Sequence, residues 1–167
     1  MKRYRWVSFL LAAVLFLPAC GQPAGERPAD ELVLWFRTSS EEPHGPALSA
    51  QPYGGEARPE ALLAALLAGP VQEGMFSPFP RGVSLVRCQW DEERPGVLLV
   101  GLSEQYGALA DISLTLADYC VVLTLSQLAE VEQVEITAQG HWAVYRSHQE
   151  LSAEEAVLWD ELAEANP

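Results

Sequence analysis

Cysteine is the residue type here with the most specific chemistry, and Cys20 stands where an export signal would end. It follows Ala19 directly and has Leu17 three positions earlier, which resembles the lipobox of bacterial lipoproteins. A basic start, MKRYR, and a 12-residue apolar stretch at 6–17 precede it, the order of parts in a signal peptide. Crossing ~30 Å of hydrocarbon takes a helix of ~20 residues, so this stretch is too short to stay as an anchor. We predict cleavage before Cys20, with ordinary signal peptidase cleavage nearby as the alternative.

A lipid on Cys20 predicts the location of the mature chain. Diacylglycerol supplies two acyl chains, palmitate for example, and two hydrophobic signals are enough for stable anchoring. We therefore expect the chain to be lipid-anchored at the extracytoplasmic face of the cell membrane. Residues 1–19 carry three basic residues and no acidic ones, so their removal takes the net charge from -13 to -16. An acidic surface of this kind repels phosphates, which excludes a nucleic-acid partner.

The other two cysteines, Cys88 and Cys120, are a possible disulfide, since an extracytoplasmic compartment permits one. Two buried free thiols are the alternative that we favour. A reactive catalytic thiol is the least favoured of the three interpretations.

Other side chains with catalytic potential lack the spacing that their chemistry needs. His44, His141 and His148 form no metal-binding motif with each other or with cysteine, so we predict no metal site and no cofactor. Ser103 lies in GLSEQ, which lacks the second glycine of a nucleophile elbow. It is expected to be a turn or cap residue.

Neighbouring carboxylates leave one enzymatic alternative open. The pairs Asp91–Glu92 and Glu154–Glu155 could serve a cell-wall hydrolase or a wall-binding protein. Glycosidase carboxylates must converge across a cleft, at ~5–9.5 Å, which adjacency in sequence does not establish. We therefore expect no catalytic residues, and keep the acid-based hydrolase as the alternative.

The elements that would position these side chains follow from apolar patterning and turn signals. Short runs of branched and aromatic residues predict strands at 32–37, 47–53, 83–90, 97–102, 134–138 and 142–146. Leucine stripes predict a helix from Pro59 to Gly69 and a longer one at 114–128, the latter with Thr115 and Asp118 as a capping box. Ser152 and Glu155 predict the start of a C-terminal helix.

Together these elements predict an α+β fold in a single domain, with a mixed or mostly antiparallel sheet and helices packed on one face. We expect a signal peptide at 1–19, a lipidated cysteine and flexible tether at 20–31, the domain at 32–147 and a C-terminal helical extension at 148–167. Leu66 and Leu123 should share one core. The aromatic residues predicted to fill it are Trp35, Phe36, Trp90 and Trp142.

A Pro-rich loop, GMFSPFPRG at 74–82, is the candidate protein contact. Met75, Phe76 and Phe79 would form an apolar patch there if exposed, since loops on a rigid scaffold often carry binding. The alternative, which we favour somewhat, is a loop folded back over the core.

The ordered motifs resemble one known family, the GerMN domain of sporulation and spore-germination lipoproteins. They are LLAGP at 66–70, PRG at 80–82, VGLS at 100–103, TL at 124–125 and the glycine at 140. The resemblance covers roughly residues 32–146. It departs where family members often have aspartate, at Gly101 and Gln139, so a role of those carboxylates is absent here.

The resemblance implies a membrane-tethered, extracytoplasmic module of the cell envelope without an established set of catalytic residues. We therefore expect a noncatalytic interaction module in sporulation or germination. Its partners would be envelope or sporulation proteins, including further copies of the same chain.

Overall fold

The computed structural model describes residues 32–38, 47–140 and 150–156. Two sheets lie in this part of the chain. In the smaller, strand β1 (Val33–Thr38) is central, with β2 (Leu48–Pro52) antiparallel on one side and β3 (Met75–Phe76) antiparallel on the other. The sequence pattern had indicated a loop around Met75. β3 is too short for alternation to reveal it, and its two residues pair only with Arg37 and Thr38.

The larger sheet is mixed. Its order is β4 (Leu85–Trp90), β5 (Val97–Leu102), β6 (Gln133–Ala138) and β7 (Glu150–Leu151). Strands β4 and β5 form the predicted antiparallel hairpin, and β6 runs parallel to β5. Parallel neighbours need a crossover connection, and the chain between β5 and β6 supplies one. It contains a 3₁₀ helix (Glu104–Ala108) and the helix α2 (Asp111–Leu125).

Helix α1 (Pro59–Ala68) has the limits that its sequence predicts. Pro59 occupies the first turn, where its missing N–H costs nothing, and Gly69 ends the helix at φ 94°. Leu62, Leu63 and Leu66 are fully buried on one face. The leucine stripe therefore faces the core.

Helix α2 begins at Asp111, three residues before its predicted start, and the capping box predicted for it is wrong. Asp118 lies in the middle of the helix, is fully buried and accepts a hydrogen bond from the Tyr106 hydroxyl at 2.5 Å. The Thr115 hydroxyl donates to the Asp111 carbonyl oxygen at 3.3 Å. The Asp118 of this Thr-x-x-Asp pattern therefore does not cap a helix; it makes a buried polar contact between α2 and the 3₁₀ helix.

A single apolar cluster joins the two sheets and both helices. Helix α2 packs against β1 of the small sheet and β6 of the large one, and α1 packs against α2, β1 and β4. Leu66 lies in this cluster, whereas Leu123 only packs against it half-buried, so the prediction of one shared core is correct for Leu66 and only partly correct for Leu123. The α+β prediction is confirmed. Trp90, in contrast, is 44% exposed, and its assignment to the core is wrong.

Thr124 of α2 and Gln127, in the turn just after α2, complete the edge of β1 that β3 leaves uncovered. The Val33 N–H donates to Gln127 Oε1 at 2.9 Å, and Gln127 Nε2 donates to the Val33 carbonyl oxygen at 2.7 Å. The Trp35 N–H donates to Thr124 Oγ1 at 3.1 Å. An amide and a hydroxyl thus take the place of a neighbouring strand.

Several predicted segments lie outside the described residues. They are the signal peptide and Cys20, the tether, the strand at 142–146 with Trp142, the three histidines and the body of the C-terminal helix. The start of that helix is partly described: Ser152 donates to Glu155 Oε2 through its N–H at 2.9 Å and its hydroxyl at 3.0 Å. In the described part of the chain, no helix combines the length and apolarity that a membrane span requires.

Candidate interaction surface

The segment between α1 and β4 is held at both ends. At its start, Gln51 Oε1 accepts from the Val71 N–H at 2.8 Å and the Gln72 N–H at 3.1 Å. Gln51 is only 5% exposed, so this side chain is a fixed acceptor inside β2. At the other end, the Phe79 ring lies 6.1 Å from the Tyr106 ring, centroid to centroid and tilted by 40°. The segment is thus anchored to the domain by side chains.

The candidate contact residues differ in exposure along this segment. Met75 and Phe79 are half-buried and pack against the core, whereas Phe76 is 53% exposed. Val71, nearer α1, is 87% exposed. Met75 and Phe79 therefore fold back over the core, as the alternative expected, whereas Phe76 is exposed to solvent. The structure does not bring all three residues into one exposed patch.

Tyr106 and Asp118 form the support beneath Phe79. Both are fully buried, and their hydrogen bond ties the 3₁₀ helix to α2. Tyr106 is not identified by sequence reasoning because its partner lies in another element and the surrounding EQYGA has no clear periodicity. The buried aspartate in an apolar helical stripe is the one signal that could have indicated it.

Both cysteines in the described part are free. Burial raises the pKa of the Cys88 thiol to about 11, and the nearby Glu60 carboxylate adds to the shift. Burial also raises the pKa of Cys120 well above its ordinary value, against a smaller opposing effect of Arg37. Nucleophilic cysteines need a lowered pKa, so neither thiol is activated.

Asp91, a member of the predicted pair Asp91–Glu92, accepts hydrogen bonds with both carboxylate oxygens in the β4–β5 turn. Its Oδ1 accepts from the backbone N–H groups of Glu93 and Arg94, at 2.8 and 3.1 Å. Its Oδ2 accepts from the Arg94 guanidinium, at 2.8 and 2.5 Å. These bonds, that of Glu93 foremost, hold the pKa of the carboxyl below its ordinary value. A general acid of glycoside hydrolysis needs a raised pKa.

Arg94 connects this turn to two more strands. It pairs with Glu135 of β6 at 2.6 Å and with Glu150 of β7 at 3.0 Å. The hydrogen bonds to Glu135 first, and then to Asp91, raise the pKa of Arg94 further above its ordinary value. Sequence reasoning missed this cluster because its members are 41 and 56 residues from Arg94 in the chain.

The remaining predicted acids and Ser103 do not assemble into a catalytic set. Ser103 precedes the 3₁₀ helix, and its hydroxyl oxygen accepts from the Ser84 N–H at 3.0 Å. Glu92 and Glu154 are exposed, and Glu155 bonds Ser152. Across residues 32–38, 47–140 and 150–156, no three side chains of His, Cys, Asp or Glu are grouped to hold a metal ion.

Comparison with solved structures identifies the fold. The first GerMN domain of the sporulation protein GerM from Bacillus subtilis matches with a TM-score of 0.54 and 15% identity, over 78% of this chain and 98% of that one. The tandem GerMN domains of the same protein match with a TM-score of 0.52 and 17% identity, over 66% of this chain. This chain spans 39% of that tandem chain. A comparison with curated protein sequences finds no match.

The sequence itself matches a family model over residues 34–144, which is most of the domain described above. That model is Germane, described as sporulation and spore germination. It begins in β1 and extends past β6, so it includes both helices and the loop that carries Phe76. The chain therefore belongs to the Germane family of sporulation and spore germination, and its domain is of the GerMN type.

Proposed function

We propose that this chain is a lipid-anchored, extracytoplasmic protein of sporulation or germination whose domain binds other envelope proteins and carries out no chemistry itself. One observation carries the proposal. Phe76 presents a half-exposed aromatic ring from an edge strand, while its neighbours Met75 and Phe79 pack on the core. An apolar side chain on a fixed support is a contact that loses little entropy when a partner binds.

The chemistry of the polar residues supports a binding role. Asp91 is engaged by Arg94 and has a lowered pKa, the opposite of what an acid catalyst needs. The thiols of Cys88 and Cys120 have raised pKa values, which disfavours the nucleophilic thiolate. These features favour recognition over hydrolysis.

Anchoring at Cys20 would strengthen a modest contact. Confinement to the membrane surface raises the effective concentration of the domain toward other anchored proteins. A single exposed phenylalanine could then contribute usefully to an assembly that would be weak in free solution.

Recovery of partners from detergent-solubilised native membranes tests the binding role. We expect Phe76→Ser to remove most partner recovery, read by mass spectrometry, while the protein stays folded because the ring is already half in water. Ile112→Ser is the matched control, since Ile112 is 67% exposed on α2 and outside the loop. Equal recovery with Phe76→Ser and wild type would contradict this contact. Cleavage of peptidoglycan by the purified protein would contradict the noncatalytic role.

Fatty-acid labelling tests the anchor separately. A metabolic acyl probe should label the wild-type protein and leave Cys20→Ala unlabelled. Cys20→Ser is a useful second variant because serine has a similar size and lacks the thiol. Equal labelling of wild type and variants would contradict lipid attachment at this residue.

A further inference from the structure

A groove lies at the end of the domain that the Phe76 loop does not reach. It occupies about 430 Å³ between the start of α1, the end of β4 with the β4–β5 turn, and the turn after α2. Its lining comes from all three: Ala57, Pro59, Trp90, Asp91, Pro95, Gly96, Leu128 and Glu130. Small-ligand pockets span ~300–1,000 Å³, so the groove can take a side chain or a ligand of similar size.

Trp90 is the aromatic wall of this groove, and its exposure follows from its position in the sheet. It pairs with Leu98, which is 1% exposed on the helix side of β5. Trp90 therefore faces the same side, but 44% of it remains in contact with solvent. Leu98 is covered by the core, whereas the ring of Trp90 stays open to the groove.

The charges around the groove are unbalanced. Asp91 is saturated by Arg94 and the turn backbone, and Arg58, beside Pro59, pairs with Glu56 at 2.8 Å. Glu130 is exposed and makes no ion pair with any residue that the structure describes. The groove thus offers an aromatic face and an available carboxylate, with the nearest arginines already engaged.

From this arrangement we propose that the groove binds a lysine or arginine side chain of a basic polypeptide. The aliphatic stem lies along Trp90 and the proline rings, and the cation meets the ring face and the Glu130 carboxylate. The net charge of -13 favours the same class of partner by attracting basic chains to this surface. This site is separate from Phe76, since it lies at the start of β5 and the Phe79–Tyr106 contact lies beyond its end.

Calorimetric titration of the full-length protein in detergent micelles tests the site, with tetralysine as the probe at low ionic strength. Tetralysine should bind and its fully acetylated form should not, because acetylation removes the cations and keeps the stems. Trp90→Ala and Glu130→Gln should each weaken binding by about fivefold, the effect of losing one cation–π or ion contact of ordinary strength. Glu104→Gln is the matched control: Glu104 is exposed beyond the far end of β5, and its removal should leave affinity within about twofold.

Three results would overturn the proposal. Equal weakening by Glu104→Gln and Glu130→Gln would show general attraction to an acidic protein. Equal binding of acetylated tetralysine would show an apolar site without a cation. Binding of chitotetraose through Trp90, without tetralysine binding, would make the groove a saccharide site. Phe76→Ser should leave tetralysine affinity unchanged, so failure of the groove and failure of the Phe76 contact are separate outcomes.

Discussion

The two shortest strands that the structure describes, β3 and β7, have the same length and pairing but differ in the side chains that they place at the edge of the sheet. Each has two residues and pairs antiparallel at the edge of its sheet. In β7, Leu151 is 5% exposed opposite Val134, and Glu150 joins the ion pairs of Arg94. In β3, Met75 is half-buried and Phe76 extends into solvent.

A two-residue ladder is too short to hold a strand, so neighbouring side chains decide how each edge ends. Charge closes the edge at β7, and charged edges discourage pairing with other chains. An apolar ring stays accessible at β3, supported by the Phe79–Tyr106 contact. One edge therefore ends in engaged charges and the other in an exposed aromatic ring.

The largest expected effect is on the free energy of unfolding, and it should differ between the two strands because Leu151 is buried and Phe76 is exposed. Leu151→Ala should lower the free energy of unfolding by ~2–4 kcal/mol, because it opens a cavity beside β6. Phe76→Ala should change it by only about 0.5 kcal/mol, because the ring is already half exposed. Urea unfolding followed by circular dichroism measures both. A similar loss for the two variants would mean that β3 depends on Phe76 as β7 depends on Leu151.

A smaller effect should follow from the support under the β3 segment. Tyr106→Phe keeps the ring that Phe79 packs against and removes the hydroxyl that donates to buried Asp118. We expect a loss of ~1–3 kcal/mol in the free energy of unfolding, the usual cost of removing a donor from a buried acceptor. Partner recovery through Phe76 should persist in the folded variant. An unchanged free energy of unfolding would mean that the Tyr106–Asp118 hydrogen bond does not stabilise this segment.

The smallest expected effect concerns the charged edge at β7 and depends on pH. Asp91 has a folded-state pKa below its ordinary value of 3.8, so its pairing with Arg94 stabilises the fold fully above that value. The contribution is lost as pH falls through the lowered pKa. Arg94→Gln should therefore reduce the urea midpoint at neutral pH, and the difference from wild type should shrink in acid and in high salt.

Arg58→Gln is the control for this measurement. Arg58 pairs only with Glu56 among the described residues, and both side chains are about two thirds exposed or more. Its variant should match the wild type at every pH. A difference between Arg94→Gln and wild type that is independent of pH would show that the Arg94 stem contributes by packing alone.

Local sequence signals predicted the parts of the fold that local physics controls. Pro59 and Gly69 set the limits of α1, and the turn at Pro95–Gly96 gave the β4–β5 hairpin. Gly96 has φ 82°, a conformation that glycine adopts without strain. The family resemblance rested on such local motifs, and the family model confirms it.

Contacts between distant elements were beyond sequence reasoning. Asp118 resembled a cap residue because its partner Tyr106 belongs to another helix. Trp90 follows the alternation of a core residue, yet it lines an open groove and is 44% exposed. The exposure of Phe76, and with it the candidate contact, depended in the same way on how the loop returns to β1.

The bonds that Gln127 and Thr124 make to β1 bear on aggregation. Unpaired backbone groups at a sheet edge can template a strand from another molecule. In this domain those groups of Val33 and Trp35 are occupied by side chains of α2 and of the turn after it, which cannot continue a ladder. Fraying of the C-terminal end of α2 together with the turn after it would therefore expose a β-edge without unfolding either sheet. We expect the Thr124 and Gln127 side chains to hinder intermolecular β-pairing when the protein is concentrated.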